Sequence, residues 1–305
     1  MYNCLIIGSG QIAGGYDRPT SEALLTHAHA YKNHPNFNLL GFYDIDYEKS
    51  TQMARRWDCD AFTSLEKTPS IDVISICTPD GLHLSSVNEV LKLEPKLIFL
   101  EKPLSNKLDE AKEILSISKN IPILVNYSRR FVPEFQELSV NIANNEFGDF
   151  QGGNGIYGKG FIHNGSHMTN LLNLLISKIK NIYVLDEFVD FYESDPTKTV
   201  ILTFENDKKF FMQGVNCNKF DIFEIDLIFE KARIRIIDSG YKIEFYKVVE
   251  YQKIKGYKLL ELNKIVETQK DFAMLSAVDN ISNYLQNKDE LMSTVEQAYE
   301  AIMYG

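Results

Sequence analysis

An α/β protein in two parts is what this sequence predicts: a doubly wound parallel sheet over residues 1–126 and a strand-rich part over residues 127–305. Three observations carry that prediction. A chain of 305 residues is long for a single hydrophobic core. Apolar strand patterns alternate with helical ones as far as residue 126, as in sheets covered on both faces. Beyond residue 180 the pattern becomes a series of strand-like runs separated by turn signals such as Asn206-Asp207.

The elements follow in order. "NCLIIGSG" is a short apolar run ending in glycines, a first strand. Directly after it, Gly8-Ser9-Gly10-Gln11-Ile12-Ala13 fits G-x-G-x-x-A. Glycines there allow a tight turn and let the backbone approach a pyrophosphate, whose charge suits a helix N-terminus. "GYDRPTSEALL" reads as a loop inserted before the helix "THAHAYKNHP". The second strand, "NLLGFYD", ends in Asp44, placed to accept hydrogen bonds from a ribose hydroxyl and to repel a 2′-phosphate. NAD(H) is therefore expected in preference to NADP(H). Asp44 lies 34 residues after Gly10, against roughly 20 in the usual fingerprint, and the inserted loop accounts for the excess. Asp46 suits the cap of the helix "YEKSTQMARRW". "IDVISICTP" and "KLIFLEKP" are near-continuous apolar strands, "LDEAKEILSISKN" a helix, and "IPILVNY" closes the series. In the second part, "IYVLDEFVDFY", "KTVILTFEN", "KKFFMQGVN", "FEIDLIFE" and "ARIRIID" read as strands.

Composition excludes several functions. A formal charge of −10 is opposed to binding nucleic acid through its phosphates. No apolar run is long enough for a membrane helix. The start "MYNCLIIGSG" has neither the basic residues nor the cleavage site of a signal peptide, so a cytoplasmic protein is expected. Cys4, Cys59, Cys77 and Cys217 are scattered without CxxC spacing and read as reduced thiols. His27, His29 and His34 have no neighbouring acid or cysteine to complete a metal shell.

Doubly wound sheets bind ligands at the carboxyl ends of their strands. "CTPDGLH" puts Thr78 and Pro79 in the turn after one strand and His83 on the next helix; "EKPLS" puts Glu101 and Lys102 after another. Lys102 precedes Pro103, which pushes its backbone toward extended geometry and holds its amine at the strand edge.

Taken together, Gly8-x-Gly10-x-x-Ala13, Asp44, Thr78-Pro79-x-x-x-His83 and Glu101-Lys102-Pro103 resemble the glucose–fructose oxidoreductase / inositol dehydrogenase / MocA (Gfo/Idh/MocA) family. "NYSRRFVPEFQEL" is similar to the family's first segment after the nucleotide domain, and "SAVDNISNYLQNKDELMSTVEQAYEAI" to its C-terminal helices. The resemblance implies an NAD-dependent dehydrogenase of a sugar, cyclitol or nucleotide sugar, with Gly8, Gly10, Gln11, Ile12, Ala13, Asp44, Thr78, Pro79, His83, Glu101 and Lys102 at the cofactor. It implies a second domain built as an open mixed β-sheet flanked by helices, and a homodimer or homotetramer.

"GFIHNGSHMTNLLNLLI" sets His163 and His167 four residues apart at the mouth of a helix. A metal pair, a catalytic pair and an incidental helix start are the three readings. Gly165 between them makes helical geometry across the pair doubtful, and Asn164 or Ser166 suits a helix cap. In the family a D-x-G-x-H segment stands here and supplies the partner of the EKP lysine. His167 matches its histidine, while His163 stands where the aspartate usually is. The resemblance then implies hydride transfer to the nicotinamide, with Lys102 on the reacting hydroxyl and His167 taking its proton. A lysine at its ordinary pKa, about 10.4, cannot act as a base at neutral pH. Burial beside the positive nicotinamide would lower that value; otherwise Lys102 polarises the oxygen and His167 is the base. Asn126, Arg129 or Arg130, Tyr157 and Lys159 are candidate substrate-lining residues, the arginines suited either to an oxyanion or to an interdomain ion pair. The glycines of "GIYGKGFIHNGSH" suggest room for a bulky ligand against the backbone. Two other functions fit the same residues: an NAD-recycling glycosidase or eliminase, which turns over without net NADH, and a non-catalytic sensor, which binds NAD without turnover.

Overall fold

Short strands with every side chain buried, such as Val73–Ile76 and Leu97–Leu100, need cover on both faces, and that requirement shapes the first half of the molecule. The structure, a computed structural model, describes residues 1–305. Its contacts divide the chain into two units: Met1–Phe131 with Asp271–Tyr299, and Val132–Lys270 with Glu300–Gly305.

In the first unit, strands β1 (Tyr2–Ile7), β2 (Phe37–Tyr43), β3 (Asp60–Phe62), β4 (Val73–Ile76), β5 (Leu97–Leu100) and β6 (Ile123–Val125) form a parallel sheet ordered β3-β2-β1-β4-β5-β6. The order reverses at β1 and β4, where ligands bind in such sheets. The helices of this half are α1 (His27–Asn33), α2 (Tyr47–Trp57), α3 (His83–Val90) and α4 (Leu108–Ile117). Asp46 caps α2 by accepting the Lys49 N–H at 3.3 Å. The three-residue β3 is too short to leave a strand pattern in sequence.

The second unit carries α5 (Pro133–Ala143), β7 (Phe150–Tyr157), α6 (Ser166–Leu175) and seven further strands: β8 (Ile179–Tyr192), β9 (Asp195–Phe204), β10 (Lys209–Gly214), β11 (Phe223–Phe229), β12 (Ala232–Ile237), β13 (Lys242–Glu250) and β14 (Lys258–Glu267). Their order is β14-β13-β12-β11-β7-β10-β9-β8, with β7 and β10 parallel and the remaining pairs antiparallel. Strands β9, β11 and β12 alternate buried and half-buried positions, so one face of this mixed sheet carries the core.

One expected boundary is corrected. The C-terminal segment was expected in the second domain, yet α7 (Ala273–Leu285) belongs to the first unit. Its Met274, Ala277, Val278 and Ile281 recur at helical spacing and are buried in one core with Tyr31, Phe37 and Leu124. Ser293 accepts the Val125 N–H at 2.9 Å, which covers the outer edge of β6. The last helix is α8 (Val295–Ile302), and no helix is long and apolar enough to cross a membrane.

Candidate active site

The glycine-rich turn leaves β1 under tight constraint. Gly8 has φ +92°, and a Cβ added there would lie 2.8 Å from the Cys77 carbonyl oxygen at the end of β4. Gly10 is the opposite case: nothing lies within 4 Å of an added Cβ, so its face is open. A single wide helical turn, Gln11–Gly15, follows, with Gln11 exposed, Ile12 half-buried and Ala13 in the core. Asp44, at the end of β2, accepts the Ser9 N–H at 2.7 Å and the Asp46 N–H at 2.9 Å, one on each carboxylate oxygen. The buried Ser9 hydroxyl has no partner within the protein. Open backbone at Gly10, a partnerless hydroxyl and a carboxylate joined to the same turn fit a dinucleotide.

The inserted loop is latched rather than loose. Asp17, buried, accepts the Leu25 and Thr26 N–H groups at 2.7 and 3.2 Å and the Thr26 hydroxyl at 2.6 Å, and pairs with His29 Nδ1 at 2.9 Å. Thr26 in turn caps α1, accepting the His29 N–H at 3.3 Å.

At the ends of β4 and β5 two expected cofactor residues do other work. His83 is buried, with Nδ1 2.9 Å from the Pro103 carbonyl and Nε2 3.1 Å from the Thr78 carbonyl. It lies between the turn after β4 and the turn after β5, and as a neutral imidazole it can donate to one of the two carbonyls at a time. The Thr78 hydroxyl lies 3.2 Å from that of Ser86, and Pro79 leads into the short turn Asp80–Leu82. Burial holds the His83 pKa below its ordinary value, against the pull of the two carbonyls and of Glu101. The stability that His83 contributes is therefore complete above the ordinary histidine value of about 6.5 and lost as pH falls through the lower folded value. Wild type should lose denaturant resistance on that acid limb relative to His83→Gln; parallel curves would refute it.

Glu101 likewise turns inward. Its Oε1 accepts from His27 Nε2 at 2.8 Å and from Asn126 Nδ2 at 2.6 Å. His27 Nδ1 lies 3.0 Å from the Ser75 hydroxyl, which lies 2.8 Å from the Tyr31 hydroxyl. Burial raises the Glu101 pKa, but the His27 hydrogen bond and charge, then Asn126 and Lys102, outweigh it and hold the carboxyl below its usual range. Glu101, expected at the cofactor, and Asn126, expected at the substrate, thus meet in one buried network next to Lys102. Lys102 itself is half-buried and joined to Pro103 by a cis peptide bond. Arg129 and Arg130 are buried in the turn after β6, and Arg130 donates to the Met292 carbonyl at 3.4 Å. The early histidines are accounted for by His27 with Glu101, His29 with Asp17, and His34 with Asp279 at 2.8 Å. No group of three or more His, Cys, Asp or Glu side chains could hold a metal ion.

In the second unit, the turn Phe161–Gly165 runs directly into α6. Gly165 has helical dihedrals, φ −58° and ψ −36°, yet it closes a separate wide turn that holds His163, so only His167 lies in α6. Gly165 also takes the cap position. Asn164 donates instead to the Gly158 carbonyl at 2.8 Å and Ser166 to the Ile162 carbonyl at 2.5 Å. His167 is half-buried in the first turn of α6. His163 Nδ1 lies 2.7 Å from Asp195 Oδ2, and its ring stacks on Tyr192 with centroids 3.9 Å apart.

Tyr157 is fully buried, and its hydroxyl donates to the Lys198 carbonyl at 2.7 Å and accepts the Lys198 N–H at 3.0 Å. Burial pushes its pKa up. Tyr157, expected to line the substrate site, thus braces β7 against β9. Lys159 pairs with Asp221 at 2.5 Å beside the Phe191 ring. The glycines expected to admit a ligand admit protein instead. An added Cβ would lie 2.6 Å from Met168 at Gly155, 2.4 Å from Cys217 at Gly158 and 2.8 Å from Tyr157 at Gly165.

Sequence reasoning missed Asp195, Tyr192, Asp17 and the partners of His27. Asp195 lies 32 residues from His163, with nothing local to link them.

Comparison with known proteins agrees with the nucleotide unit. Residues 2–125 match the family model described as an oxidoreductase family with an NAD-binding Rossmann fold. An uncharacterised oxidoreductase, YrbE, of Bacillus subtilis (strain 168) is 31% identical over 120 residues, which are 37% of this chain and 35% of that protein. The scyllo-inositol 2-dehydrogenase (NAD(+)) of the same organism is 32% identical over 120 residues, 37% of this chain and 33% of that one. The match thus spans about a third of each curated relative. Over nearly the whole chain the fold is shared with the WlbA dehydrogenase of Bordetella pertussis, solved with NADH and UDP-GlcNAcA: TM-score 0.79, 16% identity, covering 99% of this chain and 92% of that one.

Proposed function

We propose that this chain, whose residues 2–125 match the oxidoreductase family model with an NAD-binding Rossmann fold, is an NAD-dependent dehydrogenase of a sugar, cyclitol or nucleotide sugar. The observation that carries the reading is one edge of one sheet. There the ends of β1, β2, β4 and β5 bring Gly8–Gly10, Asp44, Thr78 and Lys102 to the point where strand order reverses. Gly8 and Gly10 would let the backbone approach the pyrophosphate, and Asp44 would receive the ribose hydroxyls on its remaining lone pairs. When bound, the nicotinamide supplies the hydride acceptor. Lys102 would hold the reacting hydroxyl by a charge-assisted hydrogen bond, and one imidazole of the segment leading into α6, His163 or His167, would receive its proton. The buried Glu101–His27–Asn126 network orients the backbone from which Lys102 projects. A cytoplasmic homo-oligomer and a nucleotide-sugar substrate belong to the same reading; the fold shared with WlbA supports the latter.

The test is to denature purified protein, identify released nucleotide by mass spectrometry, and titrate NAD(H) and NADP(H). NAD(H) is expected to bind more tightly than NADP(H), and Asp44→Ala to weaken NAD(H) by about tenfold or more, the worth of one or two lost hydrogen bonds. A preference for NADP(H) would overturn the role of Asp44. No dinucleotide bound at about millimolar concentration would overturn the function.

A further inference from the structure

We propose that Asp195 is the positioning residue of a catalytic imidazole: it keeps the proton of His163 on Nδ1, leaving Nε2 as the acceptor for the proton of a substrate hydroxyl. The proposal rests on the dehydrogenase reading of the site.

The geometry around Asp195 assigns the proton. Its Oδ2 lies 2.7 Å from His163 Nδ1 and accepts the His163 backbone N–H at 2.8 Å, while Oδ1 accepts the Ile162 N–H at 2.9 Å. A hydroxyl hydrogen on either oxygen would point at an N–H donor, so the group sits there as an acceptor. The tautomer of an imidazole is set by the hydrogen bond that one of its nitrogens makes. Here that bond places the proton on Nδ1, and Nε2 keeps its lone pair. The carboxylate is 4% exposed, which strengthens the contact, whereas His163 is 16% exposed and so reachable.

The surroundings are built to hold this pair. Gly160 has φ +82°, and an added Cβ would fall 2.1 Å from Asp195 Oδ2, so only glycine lets the loop close round the carboxylate. Thr197 fixes the same loop: its hydroxyl accepts the Gly160 N–H at 2.8 Å and donates to Asp190 at 2.8 Å. Asp190 in turn accepts the Lys159 N–H at 2.8 Å. Tyr192, stacked on the ring at an interplanar angle of 13°, fixes the imidazole plane. Two buried aspartates thus pin the segment, but Asp195 alone engages an imidazole. The step it serves is a proton transfer: the substrate O–H bond breaks, its electron pair stays on oxygen, and an Nε2–H bond forms.

Long-range proton–nitrogen correlation spectra of the isotope-labelled full chain read this directly. At about pH 8, above the ordinary histidine range, they report which ring nitrogen carries the proton in each of the six histidines. His163→Gln identifies its signals. The expected result is a proton on Nδ1 and none on Nε2. In Asp195→Asn a single acceptor oxygen faces three N–H donors, so the Nδ1-protonated form should fall below about half of the population. A wild-type ring protonated on Nε2, or on both nitrogens, would overturn the proposal, as would an unchanged signature in Asp195→Asn. Should that variant not fold, the wild-type spectrum decides. A merely structural aspartate would leave the tautomer where it was. The measurement needs neither nucleotide nor substrate, so its failure and a failure to bind NAD are separate results.

Discussion

Lys102→Met is expected to lower kcat/KM by about 10³-fold, the scale of removing one positioned proton-transfer or oxyanion-stabilising group. The measurement is NADH formation on the most rapidly oxidised member of a panel of sugars, cyclitols and nucleotide sugars. Methionine keeps the length and apolar stem of lysine but has no donor for the reacting oxygen. The NAD(H) dissociation constant should change by less than about tenfold, because one hydrogen bond is worth about 0.5–1.5 kcal/mol, more if charged. Lys102→Arg should not restore turnover, since a planar guanidinium cannot present a compact ammonium's donor at the same place. A variant within about tenfold of wild type would sink the role of Lys102.

Glu101→Ala is expected to be the most damaging single change to stability, costing about 3–5 kcal/mol. It removes a buried carboxylate that accepts two hydrogen bonds and strands the donors of His27 and Asn126 in a site too enclosed to hydrate. Glu101→Gln should cost far less, about 1 kcal/mol, because its carbonyl can take the place of Oε1. Denaturant unfolding reports this through Trp57, the single tryptophan, which is buried in the same unit. The pH dependence follows from the depressed Glu101 pKa. Its contribution is present above the unfolded carboxyl value, about 4.3, and is lost as pH falls through the folded one. Glu101→Gln should flatten that acid limb. A cost below about 1 kcal/mol for both variants would show that the network contributes little, and equal large costs that the Gln carbonyl cannot replace Oε1.

Much of the nucleotide unit was legible because its signals are local. A parallel strand buried on both faces reads as a continuous apolar run, and each ends where a glycine, an acid or a proline interrupts it. Gly8, Asp44 and Lys102 could therefore be found by position alone. What those residues touch was not legible. Glu101 and His83 stand beside candidate site positions in sequence, yet their side chains turn inward toward partners brought by other segments. The glycines before α6 looked like space for a ligand because sequence does not say what fills the space.

By itself, then, the sequence determined the class of fold, the site end of the first sheet and the residues of the EKP and glycine-rich turns, since period, turn chemistry and strand ends are set within a few residues. Only the tertiary structure decided that α7 completes the first core, that Asp17 latches the inserted loop, and that His163 has Asp195 behind it. The first and last of those are partnerships across tens to hundreds of residues, and the Asp17 latch spans 8 to 12. Buried polar and apolar groups take whatever partner the returning chain presents, and no local pattern encodes which segment that is.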